Sequence, residues 1–475
     1  MEITIHKNEL MALLPHSLDY SQIENTGNQS IENFNINIVK FIISSIILKS
    51  VAFLGNKDVI KYNAHSEIPK KYWTSTIGNV YSAYINFLMN EKIIYRTYYQ
   101  QGKCFAYGLN VPYQYSRIFV GITQIKDIHK RKSAFCNTSY TAKYEKSLIK
   151  FFDNTHFSVD PEKTEQDLFE RYLNHSFPLE KSHGVPIEEH LKRYSNYIMA
   201  LKKMVKFMNG EFRFTRNSTC FIEKRTAKKT YKTTGRFYSS FAYLNKEIRK
   251  HLIHKHGKLI EIDIKNCVPY LLSNYFIAKR PKITKKRINR INEYSSVYMC
   301  GETLKASMDK EIERFNFLCI NGEIYELFID PLKDFYSERW SQVYLDNYSE
   351  EYNGSFKHDR DLAKKLFISM LFGKNSHYLG VQNIFRDKFP ILYDILTTIK
   401  KQGYKRLSHE LFGMEGWIMI DLVAKSLIKE YRRQIPIFTV HDCIATTKEY
   451  VDIVKCKIES VFYTLFRNSP KIDVG

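Results

Sequence analysis

A chain of 475 residues, 44% hydrophobic and 15% aromatic, is long enough for two or three folding units and too apolar to be a disordered tail. Its formal net charge of +22 makes a polyanion, nucleic acid first, the simplest partner, because each neutralised phosphate releases condensed counterions. The eight cysteines show no paired CxxC spacing for a zinc site and read as reduced thiols.

Taken in chain order, residues 1–10 mix acids and bases where a secretory signal would place an apolar core, so a cytoplasmic protein is expected. The pattern over residues 34–54 suits a helix. The most apolar stretch, residues 38–55, is interrupted by Lys40 and Lys49 and falls short of the ~20 apolar residues of a membrane span, so it reads as a buried helix and no membrane partner is expected. Residues 74–89 read as one apolar-periodic helix, followed by a strand over 92–98, a turn at 100–103 and a second strand over 104–109. Helix, strand, turn and strand succeed one another as in a winged helix, an order that an unrelated small α+β domain can share. After the basic stretch 126–132, residues 140–209 alternate apolar and charged positions at helical spacing, broken at Pro161, Pro178 and Pro186, and read as a helical connector. From about Thr226 the texture changes to short apolar strands with Asp, Arg and His at their ends.

Chemistry concentrates in that last part. Residues 258–264 alternate as a strand and carry Asp263 near its end; residues 435–440 form an apolar strand that bends at His441 and Asp442. Carboxylates at the ends of two strands suit a pair of hard cations that clamp the attacking and leaving oxygens of a phosphoryl transfer. Either acid alone has a plainer reading, since strand-end aspartates are common turn formers. In residues 360–373, Arg360, Lys364, Ile368 and Phe372 recur every fourth position and share one helical face. Two cations there can hold a triphosphate while the apolar pair packs on base and sugar; the plainer reading is a surface helix with a basic pair.

These blocks resemble, in order, the motifs of family A DNA polymerases. Residues 234–240, Thr-Gly-Arg-Phe-Tyr-Ser-Ser, then Leu244, Arg249 and the strand into Asp263, are similar to the segment running from the thumb into the first catalytic strand. Arg360, Lys364, Phe372 and Gly373, followed by Ser376 and His377, resemble the nucleotide-binding helix of the fingers, and Val440, His441 and Asp442 resemble the second catalytic strand pair. The resemblance covers roughly residues 226–475, and phage-type single-subunit RNA polymerases share the plan. It implies that Asp263 and Asp442, assisted by the Ile264 carbonyl, ligate two magnesium ions, with manganese able to substitute. It further implies that Arg360 and Lys364 hold the incoming triphosphate beside Ile368 and Phe372, and that Arg236, Arg249 and His441 contact primer or template.

Three positions depart from the pattern. Val268 stands where a Glu usually crowds the sugar 2′-position, Phe372 where a Tyr is usual, and Cys443 where an acid often follows the His-Asp pair. Neither familiar sugar selector is present, so nucleotide choice stays open. No pattern of spaced acids suggests a proofreading exonuclease. The basic run 279–287 reads either as a grip on template phosphates or as a solvated loop, and His251, His254 and His256, with no complementary ligand spacing, as polar or phosphate-facing residues.

The expected fold is therefore α+β: a right-hand polymerase with an antiparallel palm sheet, helical fingers and thumb, and a small N-terminal domain of winged-helix type. Residues 1–137 form the accessory domain, 138–230 a thumb-like connector and 231–475 the palm and fingers. The expected partners are a DNA template, primed or single-stranded, and nucleoside triphosphates. Two rivals remain: a primase or RNA polymerase using ribonucleotides, and a non-catalytic replication initiator that only binds DNA.

Overall fold

A computed structural model describes residues 2–50, 65–97, 104–126, 146–173, 187–216, 221–222, 229–230, 235–278, 301–348 and 351–475. The fold mixes helices with antiparallel sheets, and the chain divides into two compact units: Met1–Thr215 with Tyr238–Leu259, and Arg216–Phe237 with Ile260–Gly475. The expected thumb-like connector is no separate body in this division, because its helices belong to the first unit. Among the described residues no helix is long and apolar enough to cross a membrane. The basic run 279–287 and residues 127–132 of the other basic stretch lie outside the described residues.

In the first unit, β1 (Glu9–Pro15) is buried along almost its whole length and pairs antiparallel with a strand at Ile118–Gln124. The apolar stretch forms α1 (Ile36–Lys49), capped by the Asn35 side chain and buried from Val39 to Ile47 except at Lys40. Next come β2 (His65–Glu67), α2 (Lys70–Ile77), α3 (Tyr81–Asn90), β3 (Ile94–Arg96) and β4 (Ala106–Leu109), whose three strands lie side by side in the order β2-β4-β3. The single helix expected over 74–89 is thus two helices. The break falls at Gly78, whose φ of 81° is open to glycine and strained for other residues. Helix α4 (Pro161–Leu173) starts where sequence punctuation placed a break: Pro161 sits in the first turn and Asp160 accepts from the Lys163 N–H at 3.1 Å. Helix α5 (Ile187–Met208) is tied to β1 through Asn209, which accepts from the Met11 N–H at 2.7 Å and donates to its carbonyl at 2.9 Å.

His254 is buried against Phe157, and burial with its neighbouring cations pushes its pKa down to about 4. His251 is bound to Asp167 at 2.6 Å. A phosphate-facing role for these two does not fit, because one imidazole is desolvated and neutral while the other already has its anion.

In the second unit, β5 (Gly257–Ile264) delivers its C-terminal half, from Ile260 onward, into a small sheet. The turn after it passes through Asn266, at φ 56°, into α6 (Cys267–Ala278). Helix α7 (Phe356–Phe372) is capped by Ser355, whose hydroxyl accepts from the His358 N–H, and buries Leu362, Ala363, Leu366, Phe367, Met370 and Leu371. After α8 (Tyr404–Gly416) the chain continues as a π-helical segment, Trp417–Ala424. The hairpin β6 (Phe438–Val440) and β7 (Cys443–Thr447) follows, with β7 lying between β5 and β6; β8 (Ile472–Val474) closes the other side of β5. Alternating burial of Ile262 and Ile264 points these side chains into the unit, and the same alternation turns Asp263 the opposite way.

Candidate active site

The two aspartates, distant in sequence, meet through sheet pairing. Val440 and Cys443 face each other across the hairpin, which leaves His441 and Asp442 as its two-residue tip. The Ile264 N–H donates to the Asp442 carbonyl at 3.3 Å, so this tip lies beside the end of β5 that carries Asp263. His441 holds φ at 56°, a backbone state costing about 1–3 kcal/mol at a residue with a side chain, and that strain falls at the turn that aims Asp442. On the other side, Asp263 pairs with Asp473, and residues directly opposite in a sheet point to the same face. Glu261, two residues earlier on β5, shares that face.

The electrostatics follow from this crowding. Asp263 is reached by solvent while densely surrounded by protein. Its carboxyl is held well above the ordinary range, first by burial and then by the charge of Asp442. Glu261 and Asp473 add to the push, and Lys364 opposes it. Burial likewise raises Asp442, against the pull of its own backbone N–H, Arg236 and Lys364. The two acids titrate as a pair, and the second negative charge is the costly one.

Two cations answer that charge from different elements. Arg236 sits half-buried and gives Nε and Nη2 to the Glu415 carboxylate at 2.7 and 2.6 Å, with its guanidinium 3.7 Å from the Phe412 ring centroid. Glu415 is 1% exposed; burial and then the charge of Asp442 push its pKa up to about 7, while Arg236 pulls it down. The backbone is built for this contact. A Cβ on Gly416 would meet the Gly235 carbonyl oxygen at 2.7 Å, and that carbonyl also accepts from Arg216 Nε at 2.9 Å. Arg216 in turn grips Asp421 with both Nη atoms.

The second cation is on α7. Its accessible face carries Arg360, Lys364, Ile368 and Phe372, the four residues singled out by spacing. Lys364 is exposed and forms no ion pair among the described residues. Arg360 donates through Nε to Glu326 at 2.5 Å and through Nη2 to Asn266 at 3.2 Å, so it is preset by an acid and by the turn that follows β5. Both cations lie over the buried Tyr325 ring, at 5.5 and 6.0 Å from its centroid. Phe372 packs on Phe412 with centroids 5.0 Å apart, so one ring touches both Arg236 and the end of the cationic helix. Val268 lies half-buried in the first turn of α6.

Within the second unit the structure thus gathers Asp263, Asp442, Arg236, Lys364 and Arg360, with His441 at the hairpin tip. Arg249 belongs to the first unit, where its Nη1 donates to the Leu244 carbonyl at 2.6 Å. Sequence reasoning missed Glu415, Phe412, Glu326 and Asp473. Nothing in the local pattern marks them; only Glu415, an acid amid the apolar run ending α8, carried a signal that could have been read.

Among the described residues no group of three or more His, Cys, Asp or Glu side chains is arranged to hold a metal. The donor set at Asp263 and Asp442 is two hard carboxylates whose mutual repulsion a divalent cation relieves. This suits magnesium, which keeps several waters and takes one or two protein carboxylates with substrate phosphates completing its shell.

No protein-family model matches the chain, and no curated protein matches it. Among solved structures, the chain is similar to the polymerase domain of Pol1 from M. smegmatis in complex with DNA primer-template and dNTP, at 13% identity and a TM-score of 0.26, over 66% of this chain. The match spans only 54% of that chain.

Proposed function

We propose that the chain is a template-directed nucleotidyltransferase that extends a DNA primer with nucleoside triphosphates. The observation that carries this reading is the convergence of Asp263 and Asp442 on neighbouring strands, each held above its ordinary pKa, with Lys364 and Arg236 pulling the other way. A cost in folding energy of this kind has no structural return, since two turn-forming aspartates need not approach each other.

In this reading Asp263 and Asp442, with the Ile264 carbonyl, hold magnesium, which when bound supplies positive charge to the attacking hydroxyl and to the leaving pyrophosphate. The protein's own part is positioning and electrostatics. Lys364 and Arg360 neutralise the triphosphate, and Glu326 and Asn266 fix the plane in which the Arg360 guanidinium meets it. Ile368 and Phe372 offer apolar area to the sugar and base. Arg236, locked on Glu415 and Phe412, steadies the primer end near the acid pair, with His441 beside it.

Family A membership, the absence of proofreading and the choice of deoxynucleotides are finer parts of the same proposal. Val268 and Phe372 favour keeping a ribonucleotide-using primase or RNA polymerase as the second reading, because neither side chain offers a polar group to sense the 2′-hydroxyl. The deciding experiment incubates the protein with magnesium, primed or unprimed DNA, and deoxy- or ribonucleotides in parallel, beside Asp442→Ala. Primed extension that disappears in the variant is the expected result. Unprimed ribonucleotide products select the second reading, and DNA binding without synthesis in every arm overturns both.

A further inference from the structure

We propose that the module formed by α1, β2, α2, α3, β3 and β4 in the first unit is a docking site for duplex DNA, with α3 lying in the major groove. The order helix, strand, helix, helix, strand, strand, with the first strand paired to the last, builds a three-helix body that carries a hairpin. Such a body presents the second helix of its tight pair outward, and an α-helix fits the major groove of B-form DNA in width and depth.

Helix α3 has the right two faces. Tyr84, Ile85, Phe87 and Leu88 are buried, with Tyr84 and Phe87 packed on Phe34. Ser82, Ala83, Asn86 and Asn90 are exposed, a row of short hydroxyl, methyl and amide groups that can meet base edges and thymine methyls. From Ile68 to Asn90 the sequence has no Asp or Glu, so nothing on α2 or α3 repels phosphate. The flanks are cationic: Lys70 and Lys71 open α2, and Arg96 ends β3, all exposed. The Arg96 guanidinium is spread over the Phe105 ring at 4.5 Å, which fixes it without a carboxylate. Lys70, Ser82, Asn86, Arg96 and Phe105 line a concavity of about 280 Å³ between helix and hairpin, so the cations and the polar helix face open onto one hollow. Charge on the rim and amides on the helix are the division of labour of a duplex reader: phosphate contacts position, base contacts specify.

The test uses the full chain, a labelled blunt duplex of roughly 20 base pairs and single-stranded DNA and duplex RNA of equal length, by fluorescence anisotropy across a salt series. The Lys70→Ala/Arg96→Ala variant is expected to bind the DNA duplex about tenfold more weakly near physiological salt, with a salt slope smaller by about two. Lys70→Arg/Arg96→Lys keeps both charges and is expected to stay within about threefold of the native affinity. Primer extension at saturating DNA stays unchanged in both. Unaltered duplex affinity in the alanine variant overturns the proposal. Loss of affinity in the charge-conserving variant also overturns it, by tracing the effect to damaged packing. An equal loss for single strands or RNA overturns it by showing a partner other than duplex DNA.

Discussion

The acid hairpin of the second unit and the helix-hairpin module of the first are both polar surfaces, yet they are assembled by opposite rules. Around Asp263 and Asp442 like charges are forced together on crowded strand ends, held there by a strained turn at His441 and by a buried Arg236–Glu415 pair. Along α3 the polar groups are neutral, short and solvated, and the cations stand apart at the rim. The first arrangement costs stability, which the proposed chemistry would return as reactivity; the second costs little, and the proposed docking asks of it only contact. The difference teaches what separates the two proposed roles in physical terms: the acid pair is held at a cost in folding energy that the face of α3 does not carry.

The sharpest break in that comparison is catalytic. Asp263→Asn and Asp442→Asn are each expected to lower primer extension by at least about a thousandfold, since the charge that offsets phosphoryl transfer is worth several kcal/mol. Neither should change binding of a blunt duplex. A variant that kept near-native extension would remove the distinction between the two regions, because the acid pair would then be idle.

Next in size is Glu415→Ala, which strands the half-buried Arg236 guanidinium and is expected to cost about 3 kcal/mol in urea denaturation. Glu415→Gln keeps one acceptor for Arg236 and should recover much of that stability. Because Glu415 acts through Arg236, Glu415→Gln should lower kcat with little change in the KM for nucleotide. A fall in stability alone, with kcat intact, would make the pair a structural strut. Third, Lys364→Ala removes the exposed cation that shares a face with Arg360 on α7 and is expected to raise the KM for nucleotide about tenfold to a hundredfold, the worth of one charged hydrogen bond. Lys365→Ala, one position around the helix, should not.

How much of this could be read from the sequence follows from which interactions are local. Arg360, Lys364, Ile368 and Phe372 could be assigned to one face because helical periodicity is a local rule, and the accessible face of α7 is the one they occupy. The strand carrying Asp263 and the bend at His441 and Asp442 were legible from alternation and turn chemistry. The break at Gly78 was missed because the apolar period runs across it, although the glycine itself was the signal. Glu326 and Asp473 were out of reach, since each takes its place through a partner 34 or 210 residues away: Glu326 with Arg360, Asp473 with Asp263. The two-unit division was hidden for the same reason, because each unit is stitched from two separated stretches of chain.

The smallest expected effect concerns pH, and its sign separates the two regions without any assay of synthesis. In the unfolded chain both aspartates lose their protons near a pH of about 4. In the folded chain their protons are held more tightly, up to about 7 at Asp263, first through burial and then through Asp442. Between those limits the folded state binds more protons than the unfolded one, so the contribution of these groups to stability is fully present below the unfolded pKa and is lost as pH rises through the folded one. Metal-free Asp442→Asn should therefore melt about 2 °C above the native chain near a pH of about 7.5, with the gap closing toward a pH of about 4. Magnesium should reverse the order at the higher pH, raising the melting temperature of the native chain and leaving the variant where it was. Substitutions on α3 such as Asn86→Ala should show no such pH-dependent gap, because that face holds no titrating acid. A native chain that melts at the same temperature as Asp442→Asn throughout this range, with and without magnesium, would mean that the two carboxylates do not feel each other and that the strained hairpin serves some other end.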